Sequence, residues 1–299
     1  MNTHNSKTLF CFGWSYCAQH LVRNLPAGRF DRVLATYRDP EDIARIQAAG
    51  VEPVAFSDDA SISPDLLSGV THILTSIPPN ADGDPVLERA HGALADLRNV
   101  SWVGYLSTTG VYGDRQGGWV DEDGDLTPAG ERGRRRVAAE QAWLDFRTRD
   151  GEALPVHLFR LAGIYGPGRN ALENLRAGKK SSIVKKGQVF SRIHVDDISQ
   201  VLLASMDQPS PGRAYNVCDD EPSPPQDVLV CAANLLGMAP PAEIPFEEAD
   251  LSPMSRSFYA ESKRVSNARI RVELGVRLKH PNYRKGLVSL LHDLREGVG

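Results

Sequence analysis

From residue 8 onward the chain repeats one unit, a short apolar run followed by a stretch of helical periodicity. The runs are TLFCF (8–12), RVLATY (32–37), PVAF (53–56), HILTSI (72–77), SWVGYLS (101–107) and PVHLFRLA (155–162). Segments 16–24, 40–49, 84–97 and 134–149 between them predict helices. This alternation requires a parallel sheet covered on both faces, because each crossover must return to the same edge of the next strand. The fold class expected is α/β, a Rossmann-type doubly wound parallel sheet. After about residue 165 the rhythm loosens. Loops rich in Gly, Pro and Lys (GPGRNALENLRAGKK) precede a helix at 195–207, a strand at AYNVC (214–218) and a helix at 225–237. We expect residues 1–168 to form the dinucleotide-type domain, with 188–220 returning to it. Residues 169–187 and 221–299 then form a smaller C-terminal, substrate-binding domain.

Bulk properties exclude several classes. The formal charge is -4, whereas neutralising phosphates along a nucleic acid needs a net basic surface. Cys11, Cys17, Cys218 and Cys231 lie far apart with no CxxC, which reads as reduced thiols of a cytoplasmic protein. The start leaves no room for a signal peptide, and no apolar run approaches the ~20 residues that span a bilayer. No His/Cys/Asp spacing resembles a metal site, so none is expected. The partner expected is a small-molecule substrate, not nucleic acid or membrane.

The turn after the first run reads F-G-W-S-Y-C-A. In a dinucleotide fold this turn brings backbone N–H groups to a pyrophosphate at a helix N-terminus. Gly13 holds the first position of the G-x-G-x-x-G pattern, Ser15 the second and Ala18 the third, so the small-residue requirement is met with one glycine. Gly13, Trp14, Ser15 and Tyr16 are the expected cofactor residues here. The second strand ends in Tyr37-Arg38, where an NAD site carries an acid for the ribose 2′-hydroxyl. An arginine suits a 2′-phosphate instead. The cofactor expected is NADP or NAD, with NADP favoured. Ser76, Ile77 and Pro78 end the fourth strand, and Leu161 and Ala162 end the sixth. Both ends are expected to touch the cofactor.

Four further stretches, GYLSTTGVYGD (104–114), FRLAGIYGPGR (159–169), FSRIHVDDIS (190–199) and YNVCDDEP (215–222), resemble in order and spacing the extended short-chain dehydrogenase/reductases of the NAD-dependent epimerase/dehydratase type. WVDED, the RGxxR run and PNYRKGL (281–287) are similar to an atypical branch that lacks the usual catalytic pair. The resemblance covers nearly the whole chain. It implies a nicotinamide cofactor, nucleotide-sugar or related substrates, and a hydroxyl residue before VYG, here Thr108 with Ser107 adjacent. It also implies a Tyr and a Lys four residues apart on the next helix. Their positions hold Arg132 and Arg136. Folds of this kind often dimerise through two helices flanking the sheet, so a homodimer is compatible with the resemblance. Arg192, before HVDD, is the substrate arginine implied, and Tyr165 is a second substrate residue.

Arginine does not give up a proton near neutrality, so neither Arg132 nor Arg136 replaces the Tyr as acid or base. Ala139, Ala142, Trp143 and Phe146 follow helical spacing and mark a packed face. Continuing that stripe backwards places Arg136, Arg135 and Arg132 inward. There they would contact anionic cofactor or substrate groups, or pair with Glu131 or Asp121–Asp123. Gly133 in the same run would allow close approach to a ligand. Tyr112 is the proton donor nominated in place of the missing Tyr. Tyr259 and Lys263 have YxxxK spacing but lie in the C-terminal region. The function expected is an NAD(P)-binding oxidoreductase or epimerase-like enzyme. Two rivals stand beside it: a non-catalytic NAD(P)-binding sensor or scaffold, and a nucleotide-binding enzyme with no redox step.

Overall fold

The computed structural model describes residues 6–57 and 62–296. Its main feature is a seven-stranded sheet built from β1 (Thr8–Phe12), β2 (Arg32–Tyr37), β3 (Glu52–Ala55), β4 (His72–Thr75), β5 (Trp102–Thr108), β6 (Val156–Leu161) and β7 (Ala214–Val217). The strand order is β7-β6-β5-β4-β1-β2-β3. The pairs β1–β2, β1–β4, β2–β3 and β4–β5 are parallel, with Phe10 opposite Leu34 and Ile73. β1 and β4 are adjacent, so the order reverses there. Ligands of doubly wound sheets bind at this switch point, beyond the carboxyl ends of the strands. Gly13 follows the end of β1 and therefore stands at that place.

The chain divides into two compact units. The first is Met1–Thr108, Arg134–Arg160 and Leu202–Tyr215, and the second is Thr109–Gly133, Leu161–Val201 and Asn216–Gly299. This division differs from the boundaries expected: segments 109–133 and 161–168 group with the C-terminal part, and of the returning segment only 202–215 groups with the first unit. Backbone pairing is the reason. The short strand Trp119–Val120 pairs with Arg264–Val265, and Gly163–Tyr165 pairs with Arg192–His194. Those ladders tie early segments to late ones.

In the first unit, helix α1 (Tyr16–Arg23) follows β1, and helix α2 (Glu131–Asp145) lies between β5 and β6. The core gathers Phe10, Phe12, Leu34, Ile73, Val103, Tyr105 and Trp143. The stripe read from the sequence is present at Ala139, Trp143 and Phe146, whereas Ala142 is exposed. In the second unit, α3 (Val195–Asp207) begins, and α4 (Pro225–Leu236) and α5 (Tyr283–Glu296) pack together. Their apolar residues recur at helical spacing: Leu229, Ala232, Ala233 and Leu236 on α4, and Tyr283, Leu287 and Leu290 on α5. Among the described residues, no helix is long and apolar enough to cross a membrane.

Candidate functional site

The turn after β1 is built for close approach. Gly13 has φ +92°, and a Cβ there would lie 2.9 Å from Ser76 Oγ and 3.1 Å from Ile77 Cγ1. Both the left-handed backbone and the crowding require glycine. Gly13 N–H donates to Thr36 Oγ1 at 2.7 Å and Trp14 N–H to Thr36 O at 3.1 Å. Ser76 Oγ donates to Phe12 O and Gly13 O, each at 3.2 Å. The structure thus brings Gly13, Trp14, Ser76 and Ile77 together. Ser15 caps α1, its Oγ accepting Ala18 N–H at 3.2 Å. Tyr16 is the first residue of α1, and the first turn carries no acid. A helix N-terminus of this kind favours an anion. Arg38 is exposed just beyond β2, while Asp39 Oδ1 accepts Glu41 N–H at 3.0 Å. Pro78 is exposed. Leu161 and Ala162 belong to the second unit, where both are buried and Ala162 N–H donates to Val217 O at 3.1 Å. A glycine cradle and an acid-free helix start together fit the pyrophosphate of a dinucleotide.

At the end of β5, Ser107 is buried and its hydroxyl donates to Glu140 Oε1. Arg160 Nη2 donates to Glu140 Oε2 at 2.8 Å, with both side chains buried. This Ser–Glu–Arg triad escapes the sequence reading. Glu140 falls on the same packed stripe as Trp143, so its burial follows from the periodicity, but its partners lie 33 and 20 residues away. Thr108 is half-buried. Arg136 Nη1 donates to Tyr105 Oη at 3.0 Å and Leu106 O at 2.9 Å. Its guanidinium lies 5.6 Å from the Tyr105 ring centroid. Burial pushes the Tyr105 hydroxyl up from its ordinary value.

The second unit holds Tyr112, Arg132 and Gly133. Tyr112 is fully buried and its hydroxyl donates to Asn216 Oδ1 at 2.6 Å. Arg132 is exposed, its guanidinium 5.8 Å from the Phe258 ring centroid. The inward placement expected for it therefore fails. α2 begins three residues before the predicted start, and its first turn projects past the apolar stripe. Arg135 and Arg136 are half-buried. Of the acids expected as partners, Asp123 and Glu122 meet Arg269 at 2.7 and 3.7 Å. Gly133 is crowded by the protein itself, since a Cβ would lie 2.5 Å from Pro128 Cβ and 2.9 Å from Gly110 O. Tyr259 packs against Phe190 and Phe246, and Lys263 pairs with Glu261 at 2.6 Å.

A cavity of about 440 Å³ opens in the second unit, lined among others by Tyr165, Arg169, Asn170, Lys179, Arg192 and Tyr283. Both substrate residues named from the sequence line it. Tyr165 lies over Gly286, where a Cβ would come within 2.2 Å of its hydroxyl oxygen. Arg192 Nη1 donates to Phe190 O at 2.9 Å, Ser223 O at 3.0 Å and Ser223 Oγ at 2.7 Å. The Nη1 end of the guanidinium is thereby fixed. Burial lowers the guanidinium from its ordinary value. An open depression of about 530 Å³ beside Trp119 and Arg115 contains none of the expected site residues. Folding also brings together His194, Asp196 and His280, with ligand atoms within 4.8 Å of one another. Asp196 N–H donates to His194 Nδ1 at 3.2 Å, and Lys279 Nζ to Asp196 Oδ2 at 3.1 Å.

The strand order and the glycine turn at a helix start define a Rossmann-type protein. No family model matches the chain. A solved structure of a conserved protein of unknown function from Silicibacter pomeroyi is 53% identical, covers 96% of this chain and 98% of its own, and superposes with a TM-score of 0.89. A candidate NAD-dependent epimerase/dehydratase from Methylobacillus flagellatus is 26% identical, with coverage of 97% and 99% and a TM-score of 0.70. UDP-glucuronic acid 4-epimerase from Bacillus cereus, solved with UDP-glucuronic acid and NAD, shares the fold at 15% identity, with coverage of 97% and 99% and a TM-score of 0.77. Its named structural neighbours are NAD-dependent epimerases and dehydratases of the extended short-chain dehydrogenase/reductase-like type, and the chain is similar to them over nearly its whole length.

Proposed function

We propose that the chain binds a nicotinamide dinucleotide at the turn after β1 and acts on a nucleotide sugar or similar anionic metabolite held by the Arg192 cavity. The observation that carries this reading is the cavity itself. Arg192, Arg169 and Lys179 supply positive charge, and Tyr165, Tyr283 and Leu287 supply apolar surface. A diphosphate joined to a ring needs both. Arg192 is a half-buried cation lining the cavity, and an anion there offsets the desolvation of its charge. The Bacillus cereus epimerase binds NAD and a UDP-sugar on the same fold, which agrees with this division of labour.

In this reading Gly13, Trp14, Ser15 and Tyr16 hold the pyrophosphate at the start of α1. Ser76, Ile77 and Pro78 line the dinucleotide. Arg38 meets a 2′-phosphate, so NADP is preferred to NAD. The nicotinamide, when bound, supplies hydride donation or acceptance. Thr108 Oγ1 hydrogen-bonds the substrate oxygen, while Ser107 and Arg136 shape that end of β5. Tyr112 anchors Asn216 and moves no proton. A second reading is favoured by one observation: Arg132, at the Tyr position, is exposed, and Arg136, at the Lys position, donates to both Tyr105 Oη and Leu106 O. It is a non-catalytic NAD(P)-binding sensor or scaffold.

Calorimetric titration with NADPH, NADH and UDP in separate runs tests the proposal. Binding of NADPH and of UDP supports it, and UDP-sugar turnover then separates enzyme from sensor. Failure of all three ligands to bind would refute both readings.

A further inference from the structure

Asp219 lies just past β7, in the YNVCDDEP stretch, and is 1% exposed. Its backbone N–H donates to Arg192 O at 2.6 Å. Its Oδ1 accepts Glu221 N–H at 3.2 Å, while Oδ2 is buried with no hydrogen-bond partner. A carboxylate held this way resists ionisation, because neither water nor a full set of donors compensates its charge. Five titratable neighbours act on it or respond to it. Arg192 favours its ionised form, Asp220 and Glu221 oppose it, and Tyr165 and Cys218 feel its charge. The two acidic neighbours have partners of their own, Asp220 with Asn267 at 2.7 Å and Glu221 with Arg284. Arg192 is thus the cation that Asp219 can influence most directly.

We propose that Asp219 is a positioning residue for Arg192: protonated, it leaves the guanidinium to an anionic ligand, and ionised, it competes with that ligand. This rests on the reading of the Arg192 cavity as an anion site. Burial pushes the Asp219 carboxyl up to about 8, so the exchange falls just above neutrality. Coupling is reciprocal, so a bound anion strengthens proton binding at Asp219, and complex formation near pH 8 takes up a proton. The ligand class is set by charge: a phosphorylated metabolite is held below that pH and released above it.

The test is calorimetric titration of UDP into the full chain between pH 7 and pH 9, in two buffers of different ionisation enthalpy. Wild type loses affinity about tenfold across this range, a coupling of ordinary size, and takes up a proton near pH 8. Asp219→Asn binds UDP with little pH dependence and without that proton. UDP's own ionisations are common to both proteins, so the difference isolates residue 219. Equal pH dependence in the two proteins overturns the inference and leaves the anion site standing. Wild type without proton uptake overturns it even if the variant does not fold. UDP binding to neither protein at any pH removes the anion site itself, and the inference with it.

Discussion

The hydroxyl of Ser107 donates to the buried carboxylate of Glu140, and Arg160 holds the other carboxylate oxygen at 2.8 Å. The bond fixes the end of β5 against α2 and engages the Ser107 hydroxyl. Glu140→Ala strands a buried arginine, so it should destabilise the protein by about 3–5 kcal/mol. Ser107→Ala removes one hydrogen bond to a charged group and should cost about 1.5–3 kcal/mol. Urea denaturation of both variants and of the double variant measures this. Strict additivity would show that the three residues do not act as a unit.

Tyr112 and Asn216 form a second buried pair, at 2.6 Å. Asn216 also accepts no slack from its own backbone, whose N–H donates to Glu122 Oε1 at 2.8 Å. Tyr112→Phe leaves Asn216 Oδ1 buried without its donor, a loss of about 1–3 kcal/mol of stability. Ligand affinity and any turnover of the surviving folded protein should stay as in wild type. A selective collapse of turnover in a stable Tyr112→Phe protein would restore it as the proton donor.

Gly133 lies where α2 begins, and its missing side chain admits Pro128 and Gly110. Alanine would ordinarily gain about 1 kcal/mol in a helix interior, but overpacking costs about 1–3 kcal/mol. Gly133→Ala should therefore lower the thermal midpoint. A raised midpoint would mean that the helix start yields easily.

His157 gives an acid-sensitive element in the first unit. Its Nε2 accepts Ser210 N–H at 2.8 Å, and its Nδ1 lies 3.4 Å from Val103 O. This geometry holds the neutral ring with the proton on Nδ1. Burial lowers its pKa from 6.5 to about 4. Between those values the unfolded chain binds more protons than the folded one. The stability contributed is therefore present above about pH 6.5 and lost as pH falls through 4, on the order of 3 kcal/mol in all. Denaturation at pH 7.5 and pH 4.5 should show a smaller acid loss in His157→Gln than in wild type. Equal losses would assign the acid sensitivity elsewhere.

Much of the first unit was legible because burial on both faces leaves apolar runs. β1 and β2 match the runs TLFCF and RVLATY, and the Gly13 turn follows from its place between strand and helix. The periodicity of 84–97 predicts one helix, whereas the chain breaks at Ala90 into Pro85–Arg89 and His91–Ala95. Contacts distant in sequence were harder to read. Nothing near Ser107 announces Glu140 or Arg160, and nothing near Asp123 announces Arg269, 146 residues away. Periodicity gave α2 its packed face but misplaced its first turn, so Arg132 was drawn inward. Asp219 was invisible for a related reason: an aspartate in a polar run looks solvated until its neighbours are known.

The most direct test of the central claim is the thermal midpoint of the purified, cofactor-free protein with NADPH, NADH and no ligand. A ligand at about 100 times its dissociation constant adds about 2.7 kcal/mol. The account predicts a clear upward shift with NADPH, a smaller one with NADH, and loss of the difference in Arg38→Ala. No shift with either nucleotide would contradict it and leave the fold without its proposed cofactor.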